Sequence, residues 1–206
     1  MSNVGPGSPE QRATELTELL NETFAESIAV KQRTLECCTP AIVAIGEALE
    51  TALRAGRKVL LFGNGGSASD AQHVAGELVG RFQMERRALP AIALNTDTAL
   101  LTSVGNDYGY EQIYARQVQG LAQPGDVVVG ISTSGNSPNI LRGVEMGREI
   151  GAVTIGFTGK GGGKLAQIAD LCLTVPSPVT TRVQETHITV WHVLCDMLER
   201  RLFGDP

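Results

Sequence analysis

Apolar side chains recur at three- and four-residue steps through Leu16, Leu19, Leu20, Phe24 and Ile28, which is the spacing of one helix face. A long amphipathic helix is therefore expected from Pro9 to about Cys38. Thr39-Pro40 reads as a stop followed by a start, with Thr39 as N-cap and Pro40 in the first helical position. A second helix should run to about Ala55 and end at Gly56. Beyond Lys58 the texture changes. Continuous apolar runs at 59–62, 91–94, 127–131, 152–157 and 171–175 alternate with helical patterns at 69–81, 108–121, 138–150, 164–169 and 181–203. Strands that are apolar throughout, each followed by a crossover, mean a parallel sheet covered on both faces. The expected fold class is α/β: a three-layer, doubly wound, five-stranded parallel sheet with an N-terminal helical extension. Those first helices must bury their apolar stripe on the sheet or on another subunit.

Composition narrows the function more than the fold. The 206 residues suit one ordinary domain, and 42% apolar with 19% charged residues excludes wholesale disorder. Runs such as Val59-Leu60-Leu61-Phe62 fall far below the roughly 18 residues of a membrane helix. Ser2 to Arg12 is polar and Pro/Gly-rich rather than basic and then apolar, so secretion is not expected and a cytoplasmic protein is. Lys and Arg number 17 against 22 Asp and Glu, a net charge of −5, and no basic patch stands out. Five Phe, three Tyr and one Trp offer little for base stacking, so nucleic acid is a poor partner. Cys37, Cys38, Cys172 and Cys195 form no C-x-x-C and read as small apolar residues in a reducing compartment. Glycine is the outlier, at 24 residues or about 12% against a usual ~7%.

In doubly wound sheets, ligands bind beyond the carboxyl ends of the strands, where strand order reverses. After the first apolar run stands Gly63-Asn64-Gly65-Gly66-Ser67-Ala68-Ser69-Asp70. After the third stands Ser132-Thr133-Ser134-Gly135-Asn136-Ser137-Pro138. Each opens a helix, offering free backbone N–H groups together with hydroxyls, which makes an anion site without lysines. Simple capping by Ser137, or by Ser67 or Ser69, is the plainer account. One cap needs one hydroxyl, however, and the second turn supplies four in six residues, which favours phosphate.

Two other phosphate motifs fail. Gly63-x-Gly65-x-x-Ala68 fits a dinucleotide fingerprint, but the second strand ends at Leu94-Asn95 and the nearest acid beyond is Asp97. Gly163-Lys164 has Thr158 where a P-loop needs its first glycine and Leu165 where it needs Ser or Thr.

Candidate proton-transfer groups lie on two helices. His73 and Glu77 are four residues apart and so on one face, as a surface pair also would be. In the last helix a projection at about 100° per residue puts His187 inside the apolar arc of Ile188, Trp191, Leu194, Cys195 and Leu198. His192 shares another arc with Thr189, Asp196 and Glu199, which makes it the more available imidazole. Thr181-x-x-Gln184 reads as a capping box.

Gly63-Asn64-Gly65-Gly66-Ser67, His73-x-x-x-Glu77-Leu78, Val104-Gly105-Asn106-Asp107, the segment Gly130 to Ser137, and Arg182-x-Gln184-Glu185-x-His187 through His192 together resemble the sedoheptulose-7-phosphate (phosphoheptose) isomerase family, of the sugar isomerase (SIS), flavodoxin-like fold. The likeness runs from about residue 15 to residue 200. It implies an oligomerising extension over 1–56 and a sugar-phosphate isomerase domain over 57–206. The implied activity is an aldose–ketose isomerisation through an enediol, the first step towards an activated heptose. The implied assembly is a homotetramer whose active sites lie between subunits, acting on a sugar phosphate, with no nucleic acid and no membrane. By the same resemblance Glu77 is the general base and His192 the general acid. Asn64, Gly65, Gly66, Ser67, Ser132, Thr133, Ser134, Ser137 and Gln184 hold phosphate and sugar hydroxyls, and Asn106 and Asp107 orient the sugar. His73, Glu77, Gln184 and His192 form a zinc site, one Zn²⁺ per subunit, and no nucleotide cofactor is implied. Thr181 departs from the pattern, standing where some members carry Asp. A non-catalytic relative of the same fold binds the bacterial replication initiator and shares stretches such as Leu89 to Asp97. It lacks counterparts of both Glu77 and His192, which this chain has.

Overall fold

The alternation of apolar faces within single strands dictates the layers. In the computed structural model, which describes residues 8–204, strand β1 (Val59–Gly63) turns Val59 and Leu61 to one side and Leu60 and Phe62 to the other, all fully buried. Strands β2 (Ala91–Ala93), β3 (Val127–Ser132), β4 (Val153–Thr158) and β5 (Leu171–Thr174) complete an all-parallel sheet in the order β2-β1-β3-β4-β5. Order reverses between β1 and β3, which pair from Val59↔Val127 to Gly63↔Ile131. All five strands fall where the apolar runs place them.

Helices α1 (Pro9–Arg54), α2 (Gly66–Val79) and α7 (Thr180–Phe203) cover one face. Helices α3 (Thr98–Tyr108), α4 (Ile113–Leu121), α5 (Pro138–Ile150) and α6 (Leu165–Ile168) cover the other. The first face is filled by Ile45, Leu49 and Leu53 of α1, Val74 and Leu78 of α2, and Trp191 and Leu198 of α7. Trp191 stacks on Phe157 of β4 with ring centroids 4.7 Å apart.

The expected break at Thr39-Pro40 does not occur, because α1 is one helix with Pro40 inside it. An interior proline costs about 3 kcal/mol. Val30 and Cys38 on one side of it and Ile45, Leu49 and Leu53 on the other are buried in the same core, which offsets that cost. Thr39 does not cap forward, since its hydroxyl turns back to donate to the Leu35 carbonyl. The helix starts as expected, with Ser8 and Gln11 in a reciprocal capping box and Pro9 at the first position. The C-terminal half of α1 thus shares the core of the sheet. Leu16, Leu19, Leu20, Phe24 and Ile28 in its N-terminal half are 50–66% exposed.

Helix α3 is not foreshadowed by the apolar pattern. Only Val104 is buried in it, so no stripe marks it, and Asp97 caps it by accepting from Leu100 N at 2.9 Å. The expected helix over 108–121 begins later, at Ile113, after a 3₁₀ turn at Tyr110–Gln112. The polar start from Ser2 to Gly7 lies outside the described residues. No helix among those described is long and apolar enough to cross a membrane, and all four thiols are free.

Candidate active site

The β1–α2 and β3–α5 turns lie side by side at the carboxyl edge of the sheet, as the Gly63↔Ile131 pairing requires. Gly65 is the N-cap of α2 at φ 55°, a conformation that suits glycine and lets the chain turn directly from strand to helix. No side chain caps α2, so the expectation of Ser67 or Ser69 as cap is not met. Ser67 is buried beneath the turn. At α5 the N-cap is Ser137, yet its hydroxyl makes no capping bond. It meets the Ser132 hydroxyl at 3.1 Å, and Ser132 in turn meets Ser134 at 3.4 Å. Three hydroxyls thus gather at a helix N-terminus instead of saturating it, which is how an anion site differs from a cap. Thr133 and Ser134 are half-buried in the same turn.

Two asparagines tie the turns together. Asn64 Nδ2 donates to Asn139 Oδ1 at 2.9 Å, and Asn139 Nδ2 donates to Asn64 Oδ1 at 2.8 Å. Tyr110 completes the wall by donating its phenolic hydroxyl to Asn64 Oδ1 at 3.4 Å. A cleft of about 480 Å³ opens here, lined by Asn64, Tyr110, Glu111, Ser137 and Asn139 among others. Asn139 and Tyr110 escape the sequence reading. Asn139 sits inside a helix start dominated by Ser137-Pro138, and Tyr110 reaches Asn64 only through the fold. Asn106 and Asp107 lie near the end of α3, exposed and bonded to each other at 2.8 Å. They are not among the residues drawn into the cleft.

The titratable groups converge on the flank of α2 and α7. His73 Nε2 stands 3.0 Å from His192 Nε2 and 3.4 Å from Glu77 Oε1. Glu77 side-chain exposure is 23% against 47% for His73, so the carboxylate is the more sheltered of the two. Phe82 lies against the His192 ring, with centroids 5.5 Å apart and planes at 27°. His187 is fully buried, as its arc implies. Its Nε2 meets the Thr158 carbonyl at 3.0 Å, and burial pushes its pKa down to about 4, outweighing that bond. Neutral and enclosed, it takes no part in the cleft.

Gln184 is not in a capping box. The N-cap of α7 is Val179 and no side chain caps the helix, because Thr181 already lies inside it. The Gln184 amide is therefore released. It lies flat over Gly66, where a Cβ would overlap it, and its Nε2 reaches Asp70 Oδ1 at 3.4 Å. Asp70 is itself buried, with Oδ2 unpartnered. Burial raises its pKa, and the Gln184 amide partly offsets the rise.

Glu199 corrects the helical projection. The arc that made His192 available was to expose Glu199 as well, but Glu199 is 1% exposed and paired with Arg86 at 3.0 Å. The segment after α2 folds over that part of α7, where only the tertiary structure could bring it.

His73, His192 and Glu77 supply two imidazole nitrogens and a carboxylate oxygen, a donor set that suits Zn²⁺. Two imidazoles on one tetrahedral ion stand about 3.3 Å apart, close to the observed 3.0 Å. Gln184, two helical turns from His192, is not gathered with them. Among the described residues no group of three or more His, Cys, Asp or Glu side chains forms a ready cage.

Comparison with known proteins converges on one group. A family model described as SIS domain matches residues 23–159. The chain is 56% identical over 184 residues to a phosphoheptose isomerase of Aquifex aeolicus, covering 89% of this chain and 96% of that protein. It is 59% identical over 167 residues to a phosphoheptose isomerase of Geotalea daltonii, with coverage of 81% and 87%. Among solved structures, phosphoheptose isomerase GmhA from Neisseria gonorrhoeae aligns with a TM-score of 0.85 at 43% identity, over 89% of this chain and 98% of that one. A phosphoheptose isomerase from Francisella tularensis aligns at 0.86 and 41%, with the same coverage.

Proposed function

The chain belongs to the phosphoheptose isomerase family of SIS-domain proteins, and from that premise we propose that it interconverts sedoheptulose 7-phosphate and D-glycero-D-manno-heptose 7-phosphate. The observation that carries this reading is the meeting of His192, His73 and Glu77, linked at 3.0 and 3.4 Å on the flanks of α2 and α7, in a chain whose β1–α2 and β3–α5 turns offer hydroxyls and helix N-termini to an anion. Glu77 takes the proton from C1 of the ketose and returns it to C2. His192 donates a proton to O2 as the enediol forms and takes one back from the O1 hydroxyl as the aldehyde closes. No electrons leave the substrate. Each such group typically contributes ~10²–10⁴-fold.

The phosphate rests on the N-termini of α2 and α5 and on the hydroxyls of Ser132, Thr133, Ser134 and Ser137. A partly buried helix end contributes up to ~2 kcal/mol towards an anion, so a chain of net charge −5 needs no lysine there. Asn64 and Gln184 bind sugar hydroxyls. If Zn²⁺ is bound, His73, Glu77 and His192 would hold it. Bound there, the metal supplies Lewis-acid polarisation of the sugar oxygens. Elemental analysis of protein purified without chelator tests this, and full activity without metal would leave His73 as a positioning group.

The exposed apolar stripe at Leu16, Leu19, Leu20, Phe24 and Ile28 supports an oligomer, for which a homotetramer is the proposed form, since a lone chain leaves the stripe in water. Glu77 lies about 16 Å along α2 from Gly66, farther than the roughly 10 Å of an extended seven-carbon phosphate. That supports sites shared between subunits. A cytoplasmic location accords with free thiols and a sugar-phosphate substrate.

The test is an assay of the purified protein on sedoheptulose 7-phosphate with Glu77→Gln and His192→Gln beside it. Each variant should lose at least ~10²-fold in kcat while remaining a folded oligomer. Turnover like wild type in either one removes that residue's role.

A further inference from the structure

The segment between α2 and β2 carries no residue assigned to the reaction, yet it is held by an unusual amount of buried polar structure. Glu199 Oε1 accepts from Phe82 N at 2.8 Å and from Arg86 Nε at 3.0 Å. Its Oε2 accepts from Gln83 N at 2.8 Å and Met84 N at 2.7 Å. Three successive backbone N–H groups and a guanidinium therefore surround one carboxylate that is 1% exposed. Other donors of Arg86 reach the end of α2. Nη2 binds the Glu77 carbonyl at 2.8 Å and Nη1 binds the Leu78 carbonyl at 2.8 Å. These are carbonyls that the helix itself leaves without partners. A solvated loop would need none of this.

What the brace presents to the site is one ring. Phe82 lies nearly parallel to the imidazole of His192, 27° between planes and 5.5 Å between centroids, within the range of offset stacking. The edge of that imidazole meets His73 at 3.0 Å through Nε2. The ring is thus fixed on its face by Phe82 and at its edge by His73. A histidine on a helix flank otherwise turns freely about its last bond, and a proton-transfer group that must be caught in one orientation loses rate in proportion.

We propose that Phe82 is a positioning residue for the isomerisation: braced by Glu199 through its own backbone N–H, it holds the His192 imidazole in the orientation in which that group transfers protons. The proposal rests on the assignment of His192 made above. The role assigned to Phe82 runs through His192 and not through the substrate, so its removal should act on turnover rather than on binding.

The experiment compares Phe82→Ala, Phe82→Leu and Phe82→Tyr with wild type and His192→Gln, on the full oligomeric chain. Phe82→Ala should lower kcat about tenfold with KM held within about twofold. Phe82→Tyr, which keeps the flat face, should restore kcat to within about twofold, and Phe82→Leu should fall between. The leucine variant keeps the apolar volume and is the one to read if the alanine variant does not fold. The chain has only three histidines, so ¹³C-labelled histidine gives resolvable ring signals. The His192 signal should lose its ring-current shift in Phe82→Ala while buried His187 keeps its own. Unchanged kcat, a loss carried by KM, failure of tyrosine to rescue, or an unmoved His192 signal each overturns the proposal. Wild-type turnover in His192→Gln removes the acid assignment and this inference with it. An inactive His192→Gln beside a fully active Phe82→Ala removes the positioning role alone.

Discussion

Glu199→Gln is the sharpest perturbation of the stability of this fold. The substitution is nearly isosteric and removes one charge from a site where both partners, Glu199 and Arg86, have side chains 1% exposed. Breaking a buried pair from one side typically costs about 3–5 kcal/mol, because the guanidinium is left charged and uncompensated. Glutamine keeps one acceptor oxygen, which satisfies two of the four donors now on the carboxylate, and turns an NH₂ towards the others. The lower end, about 3 kcal/mol, is the expectation. For a domain of this length each kcal/mol moves Tm by roughly 2–4 °C, so the melt should fall by about 6–12 °C. Protein concentration must be matched, since an oligomer's Tm depends on it.

The pH dependence separates charge from packing. Burial pushes the Glu199 carboxyl up, but the N–H groups of Met84, Gln83 and Phe82 and the charge of Arg86 outweigh it, leaving the group below its ordinary value of 4.5. A depressed folded pKa means that the stability it confers is fully present above the unfolded value and disappears as pH falls through the folded one. The gap in Tm between wild type and Glu199→Gln should therefore be constant from about pH 8 to 6 and close on acidification below about pH 4.5. A gap under about 2 °C at pH 7 would refute the reasoning, as would one that widens in acid.

Other substitutions separate function from folding. Ser137→Ala should leave Tm within about 2 °C, because the hydroxyl caps nothing, yet raise KM for the sugar phosphate; a capping role would show as a stability loss of about 1 kcal/mol instead. Gly66→Ala should likewise fold, since only a flexible side chain opposes the new Cβ, but it displaces the Gln184 amide and should lower kcat/KM measured by the same assay. Phe24→Glu places charge in the exposed stripe of α1 and should shift the elution of the protein on gel filtration towards smaller species. If sites are shared, mixed oligomers of Glu77→Gln and Ser132→Ala chains should regain activity that neither parent has.

Much of this architecture was legible because parallel strands are buried on both faces. The five apolar runs needed no periodicity to be recognised, and the chemistry followed from looking at their carboxyl ends. His73 and Glu77 were readable for a local reason, four residues on one helix. What failed was whatever depended on distant neighbours. Pro40 breaks an isolated helix, but here Ile45, Leu49 and Leu53 bury against the sheet and carry α1 through it. Thr181 and Gln184 had the spacing of a cap, but the chain enters α7 at Val179, two residues too early for it. Helix α3 has a glycine, two threonines and one buried residue, so nothing in its pattern could announce it. Glu199 projects beside His192 on a wheel, and only the return of residues 82–86 over α7 turns it from a surface acid into a buried anchor.

The two ends of the proposed substrate call on different physics, and the fold keeps them apart accordingly. The phosphate carries a fixed charge throughout the reaction, so backbone dipoles and hydroxyls at the switch between β1 and β3 serve it as well before turnover as after. Binding of that kind is uniform and lowers KM without hastening the proton transfers. The reacting carbons gain and lose charge, and they require groups that change protonation and stay in place while doing so. Such groups cannot stand on glycine turns, whose merit is the absence of side chains. They stand instead on the flanks of α2 and α7, where helices packed on the sheet through Val74, Leu78, Trp191 and Leu198 fix each Cα, leaving only terminal rotations to be restrained. For Glu77 and His73 that restraint is mutual, at 3.4 Å. For His192 it comes from His73 on one side and Phe82 on the other. The buried Glu199–Arg86 pair secures Phe82 and the Glu77 carbonyl at once, so acid and base are referred to one rigid point rather than to two independent loops.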